Sequence, residues 1–275
     1  MAALRLSEIW IYPVKSLGGI RVKSARVLEK GLEYDRRWML IDRDHDFMTQ
    51  RIYPKMALFK LQIQSRWSRW LSGGRSGFKI MHGKDFINLS FNHSSIAKPI
   101  NAVIWDDKVE VYEVNKDYSL WFSKRLGIEC KLVSFPENHA RPVDPQYQIN
   151  RENVSLADAY PLLMIGEQSL ADLNTRLADP VPMNRFRPNL VVSGSQAYEE
   201  DGWRNFSVGK NKFAAVKPCA RCVLTTVNQD TGEKGAEPLA TLSKYRKKDN
   251  KVLFGQNLIA IDHGKIYEGD EIILE

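Results

Sequence analysis

Apolar and polar positions alternate in short runs through the first hundred residues, the pattern of strands that bury one face. Leu6-Ser7-Glu8-Ile9-Trp10-Ile11-Tyr12 is rich in strand formers, Pro13 checks it, and Gly18-Gly19 supplies a turn before a second strand from Ile20 to Val27. Arg37-Trp38-Met39-Leu40-Ile41-Asp42 predicts a buried strand. Ile52-Tyr53-Pro54 breaks the pattern, and Leu58-Phe59-Lys60-Leu61-Gln62-Ile63 resumes it with alternating faces. Strands this short and this closely spaced predict a barrel or a sandwich.

The period then changes. Leu120, Trp121 and Leu126 fall near helical spacing and Gly127 offers a C-cap, so a helix is expected from Asp117 to Leu126. A second is expected from Glu167 to Leu177, with Leu170, Leu173 and Leu177 on one face, and a third from Glu237 to Tyr245. Strands are expected around them at Leu162–Ile165, Asn189–Val192, Phe213–Val216, Cys222–Val227, Asn257–Ile261 and, after the Gly269-Asp270 turn, Glu271–Leu274. There is no internal repeat. The expected fold class is mainly β, of the α+β kind, with two β-rich domains sharing an interface, residues 1–118 and 119–275.

Composition keeps this picture within ordinary globular proteins. With 43% hydrophobic and 27% charged residues and no long Pro, Gly or Ser tract, 275 residues bury a sizeable core and wholesale disorder is excluded. Met1 to Glu8 lacks an apolar stretch of signal-peptide length, and no later run of about 18 apolar residues could cross a bilayer. A cytoplasmic protein without a membrane partner is expected. Forty basic against 33 acidic side chains leave a charge of +7, which favours anionic ligands. The basic residues are nonetheless scattered among acids, with no basic stretch interleaved with aromatics, so no nucleic-acid partner is expected. Trp67 and Trp70, at i and i+3, read as packing or partner-facing residues rather than a base-stacking platform. None of the five histidines has a ligand-spaced partner, and all read as ordinary.

Three cysteines are too few for a disulfide framework and fit a reducing compartment. Cys130, after Gly127-Ile128-Glu129, reads as core. Cys219 and Cys222 form a Cys-x-x-Cys pair in the segment from Lys217 to Val227. Zinc needs about four ligands, and the chain has no second pair. A thioredoxin-like pair opens a helix, whereas the β-branched and apolar residues after Cys222 predict a strand. Two readings stay open: both cysteines fill a core, or Cys222 is an activated thiolate. Pro218 fixes the approach to the pair, and Arg221 sets a permanent charge beside Cys222 that favours its thiolate. Such a soft ligand suits a transition metal or its cofactor.

The stretch from Cys219 through Ala220-Arg221-Cys222-Val223-Leu224-Thr225-Thr226 to Val227 is followed by Asp230-Thr231-Gly232, Glu237-Pro238-Leu239, Tyr245-Arg246 and Phe254-Gly255-Gln256-Asn257. This series resembles the MOSC (molybdenum cofactor sulfurase C-terminal) domain, and more closely the YcbX-type bacterial proteins and the mitochondrial amidoxime-reducing components. The resemblance extends to Tyr12-Pro13-Val14-Lys15-Ser16, Asp35-Arg36-Arg37-Trp38 and Phe186-Arg187-Pro188-Asn189, so it covers nearly the whole chain. It implies a β-barrel MOSC domain packed with an N-terminal β-rich domain. It implies a molybdenum cofactor with Cys222 as the protein ligand of the metal. It further implies that Lys15, Ser16 and Arg36 contact the cofactor, that Arg187 faces it with Asn189 shaping the loop, and that Asp158 lines the pocket to orient the pterin or handle a proton. Cys219 and Arg221 complete the expected cofactor-binding set, and Asp158 joins Cys222 as the expected catalytic pair. On residue type alone Lys15 and Arg187 read as surface cations, and the resemblance turns both inward. Arg36 suits a phosphate because its planar fork bonds bidentately. Thr49-Gln50-Arg51 and Arg141 are expected to border the entrance. After the aspartate this chain has Ala159 and Tyr160 where mitochondrial members carry small hydroxyl residues, a departure that bears on substrate preference.

The activity so implied is a molybdenum-dependent reduction of N-hydroxylated compounds, such as hydroxylaminopurines, amidoximes or hydroxylamines, with the N-bound oxygen leaving as water. Two electrons are needed per turnover, and the chain has no further cysteines for a cluster. A separate donor of flavoprotein, ferredoxin or cytochrome type is therefore expected. The alternative is a carrier that holds the cofactor, or sulfur as a Cys222 persulfide, and delivers it to other proteins.

Overall fold

A computed structural model describes residues 3–64, 76–91 and 98–275; Trp67 and Trp70 lie outside the described residues. The fold is mainly β, as expected. The largest sheet runs, in spatial order, Ile272–Leu274, Asn205–Val208, Asn211–Arg221, Lys251–Ala260, Leu162–Gly166, Leu190–Ser193, Arg5–Ile11 and Ile20–Val22, and Lys247–Lys248 pairs alongside Lys251–Ala260. The first two strands of the chain thus complete a sheet made otherwise from residues beyond 160. Its one parallel pair, Leu162–Gly166 with Leu190–Ser193, is joined through the helix Glu167–Thr175, the kind of crossover that parallel pairing requires. The sheet curls into a half-barrel around Leu6, Ile9, Met164, Val192, Phe213 and Leu258, all buried. A four-stranded sheet, Trp38–Asp42, Cys130–Ser134, Asp107–Glu113 and Ile100–Ile104, the meander Lys60–Ile63, Gly77–His82 and Asp85–Ser90, and a three-stranded sheet, Lys265–Tyr267, Ser24–Leu28 and Gly31–Leu32, make the remaining β layers.

The helix expected from Asp117 forms over Lys116–Leu126. Asn115 accepts from the Asp117 amide at its start, and Gly127 closes it at φ 71°. Its inward face carries Phe122 and Ser119, while Leu120 points to solvent. Ser119 is tolerated inside because its hydroxyl donates to Glu113 and accepts from the Leu132 amide. No helix among the described residues is long and apolar enough to cross a membrane.

The strand expected from Cys222 to Val227 does not form. The ladder ends at Arg221, and Val223–Thr226 make a single 3₁₀ turn. The Thr225 hydroxyl donates to the Cys222 carbonyl (2.9 Å) and the Thr226 hydroxyl to that of Val223 (2.8 Å), local bonds that compete with a ladder. Arg185 Nε, donating to the Thr225 carbonyl at 2.8 Å, pins the turn from the far side. Register shifts at Ala215/Lys217 and Pro218/Ala220 bend the strand before it, and a bulge of this kind is where a sheet admits proline.

Candidate functional site

Six separate segments bring their polar side chains to one open cleft. Lys15, Ser16, Arg36, Asp158, Arg187, Asn189, Cys219, Arg221 and Cys222 all line it, together with Arg51. Pro13-Val14 leads out of the first strand; the Lys15 amide then donates to the Trp38 carbonyl at 2.7 Å, which turns the lysine inward. Burial brings the Lys15 ammonium down to about 8, against the pull of Asp158. Its Nζ donates to the Leu156 carbonyl (2.8 Å) and to Asp158 Oδ1 (2.5 Å). Asp158 Oδ2 accepts from Arg51 Nη2 at 2.9 Å, and Arg51 Nε donates to Cys222 Sγ at 3.2 Å. Although burial opposes it, the two cations hold the Asp158 carboxyl well below the usual carboxylate range.

The second half of the cleft is built on Tyr12. Its ring is flanked by two guanidinium groups, Arg36 at 4.7 Å and Arg187 at 4.2 Å from the centroid. Burial raises the Tyr12 phenol far above its ordinary value, and its hydroxyl finds no hydrogen-bond partner among the described residues. Arg36 Nη1 reaches the buried Asp35 carboxylate and Asn189 Oδ1 (3.2 Å), while Asn189 Nδ2 donates to the Trp10 carbonyl at 3.1 Å. Asn189 therefore fixes Arg36 against the first strand. Arg187 Nη1 donates to the Leu17 carbonyl at 2.7 Å, and burial lowers this guanidinium to about 10. Ser16, Arg36 and Arg187 all have left-handed backbones, with φ of 67°, 51° and 56°. Non-glycine residues in that region cost about 1–3 kcal/mol each and gather at functional sites.

The cysteine pair is wired differently from the expectation. Arg221 Nη1 donates to Cys219 Sγ (3.0 Å) and Nη2 to the Phe186 carbonyl (2.6 Å), so its charge serves Cys219. The cation on Cys222 is Arg51, 171 residues away in sequence. The register explains the exchange: Arg221 is the last ladder residue, and Cys222, beginning the 3₁₀ turn, faces another way. Arg141 also departs from its expected place. It lies buried behind the loop, where its guanidinium collects the Ser155, Ala157 and Asp158 carbonyls and pairs with Asp107. Tyr12, expected only as a strand residue, is the platform of the site; its place in Tyr12-Pro13-Val14-Lys15-Ser16 was the one available signal.

Among the described residues, five cations and one carboxylate face the cleft, and the buried Arg221 Nε has no partner. A net positive, partly desolvated cleft concentrates anions. The free thiols of Cys219 and Cys222 at its wall add soft donors. The residues fit a group that combines an anionic phosphate with a soft metal.

Fold and site together define a mainly β protein with an open cationic cleft that carries a pair of free thiols. Family models match it twice, the MOSC N-terminal beta barrel domain over residues 3–129 and the MOSC domain over residues 151–273. The chain is 32% identical to the molybdenum cofactor sulfurase of Oryza sativa subsp. japonica over 97% of its own length and 33% of that protein's. It is 32% identical to mitochondrial amidoxime-reducing component 1 of Mus musculus and 31% to that of Homo sapiens, covering 98% of itself and 82% of each. The chain thus spans about a third of the plant sulfurase it matches and about four-fifths of the mitochondrial proteins. The chain belongs to the MOSC family, as a MOSC N-terminal β-barrel followed by a MOSC domain.

Proposed function

We propose that this protein binds a molybdenum cofactor in the cleft through Cys222 and reduces N-hydroxylated compounds with electrons from a separate donor protein. The observation that supports this most directly is the convergence of the Cys222 thiol with Lys15, Arg36, Arg187 and Arg221 on one cleft. Arg36 and Arg187, spread over Tyr12, present planar donors to a phosphate or pterin. Ser16 adds a hydroxyl at the same wall. Asp158, held as a carboxylate between Lys15 and Arg51, acts as an acceptor and orients the cleft's donors. Lys15, at about 8, is the group able to hold or release a proton near neutral pH. When bound, the cofactor supplies the two-electron oxygen-transfer chemistry. Similarity to proteins named as amidoxime-reducing components over 98% of the chain supports this reading of the substrate class.

A second reading is a carrier of the cofactor or of sulfur as a Cys222 persulfide. It is favoured by the equal identity, 32%, to a protein named as a cofactor sulfurase. One experiment separates the two: expression in a cofactor-competent host, measurement of molybdenum, and assay of hydroxylaminopurine reduction with an artificial donor. Metal with turnover is the expected result. Metal retained without turnover would favour the carrier.

A further inference from the structure

Trp105 has a backbone that its side chain opposes. It is the first of two turn residues between Ile104 and Asp107, which pair across the hairpin Ile100–Ile104 and Asp107–Glu113. Its φ is 56°, a region where a bulky residue is an outlier and glycine is at home. Its indole is also 47% exposed, so burial of the ring does not account for tryptophan at this position. Its contacts do. The ring lies 4.6 Å from the Arg51 guanidinium carbon and meets Phe47 edge to face at 5.0 Å. Phe47 in turn faces the Lys15 ammonium at 5.0 Å. The two aromatic rings thus back the two cations that share the Asp158 carboxylate, and Arg51 passes the contact on to the Cys222 sulfur at 3.2 Å.

We infer that Trp105 is a positioning residue for the Cys222 site: by stacking on Arg51 it fixes the N–H that bonds the Cys222 sulfur and so secures whatever that sulfur ligates. The inference rests on the proposed reading of Cys222 as the cofactor's protein ligand. Hydrogen bonds to a ligating atom orient it, and losing them typically costs about 10–100-fold in metal affinity. Arg51 has four rotatable side-chain bonds and reaches the sulfur from the mouth of the cleft. Without the indole its guanidinium is held at Asp158 and by a long 3.3 Å contact to Thr49 Oγ1. The strained backbone at Trp105 is thus kept for the ring it carries.

The test uses the full chain loaded in cofactor-competent cells, with molybdenum per chain followed by mass spectrometry during dialysis. Four variants are compared with the parent protein: Trp105→Gly, Trp105→Phe, Arg51→Ala and Cys222→Ala. Trp105→Gly is expected to lose molybdenum about tenfold faster. Its cofactor-free thermal midpoint should not fall, because glycine suits the positive φ. Trp105→Phe, which keeps a ring for Arg51, should hold metal within about twofold of the parent. Arg51→Ala should lose it at least as fast as Trp105→Gly. The inference is overturned if Trp105→Gly holds metal like the parent while Arg51→Ala does not. A loss in Trp105→Gly that tracks a lowered midpoint and is not rescued by Trp105→Phe also overturns it, since that is a folding role. Cys222→Ala retaining molybdenum would overturn the reading of the site itself, a result distinct from either.

Discussion

A buried ammonium that shares a carboxylate with a guanidinium is tuned for anions, and Lys15 shows the consequence at the scale of one residue. Its proton is lost near pH 8 instead of near 10.5. Below about 8 the charged form attracts an anion; above it the attraction fades, so anion affinity should fall as pH rises through that value. Calorimetry with inorganic pyrophosphate on the cofactor-free protein between pH 6.5 and 9.5 checks this, and Lys15→Arg, charged throughout, should flatten the profile. Arg36 gives a second prediction. A lysine cannot stack on Tyr12 while bridging Asp35 and Asn189 as the fork does, so Arg36→Lys should weaken pyrophosphate binding by about 1–2 kcal/mol. Residue type alone read Lys15 and Arg187 as surface cations; the resemblance carried by their short ordered motifs grouped them with Arg36 and Cys222, and all four line the cleft. The pairing of Arg51 with Cys222 was not legible in the sequence, since a contact across 171 positions leaves no local pattern.

At the scale of elements, local chemistry decided which expectations held. The helix Lys116–Leu126 was legible from the spacing of Leu120, Trp121 and Leu126 and from Gly127 at its C-terminal end, whereas the Asn115 cap at its start came only with the structure. The segment after Cys222 misled because β-branched residues favour strands on average, while two threonine hydroxyls bonding back to nearby carbonyls favour a turn. Gly255 shows how tightly the strand opposite is fitted. Its φ is 81°, and a Cβ there would stand 2.6 Å from the Met164 carbonyl oxygen. Gly255→Ala should therefore destabilise the fold by about 2–4 kcal/mol, read as a lower urea midpoint with little change in slope. Because Asn257, two residues on, lines the cleft, the same variant should also loosen the site.

Over the whole molecule, the site exists only when strands from both ends of the chain share a sheet. Arg5–Ile11 pairs with Leu190–Ser193, and this brings Lys15 and Ser16 to Arg187 and Asn189. The sequence announced strands but not their partners, because register between distant segments is set by packing that no single run records. A ligand seated between these segments should couple to global stability. At about 100 times its Kd it contributes about 2.7 kcal/mol. The loaded protein should then melt roughly 5–10 °C above the cofactor-free form in differential scanning fluorimetry. The central claim concerns one sulfur of two, and molybdenum content tests it most directly. Cys222→Ala and Cys219→Ala are purified from cofactor-competent cells and compared with the parent chain by mass spectrometry. The account predicts that Cys222→Ala abolishes metal retention whereas Cys219→Ala largely keeps it. Metal retained by Cys222→Ala and lost by Cys219→Ala would contradict it.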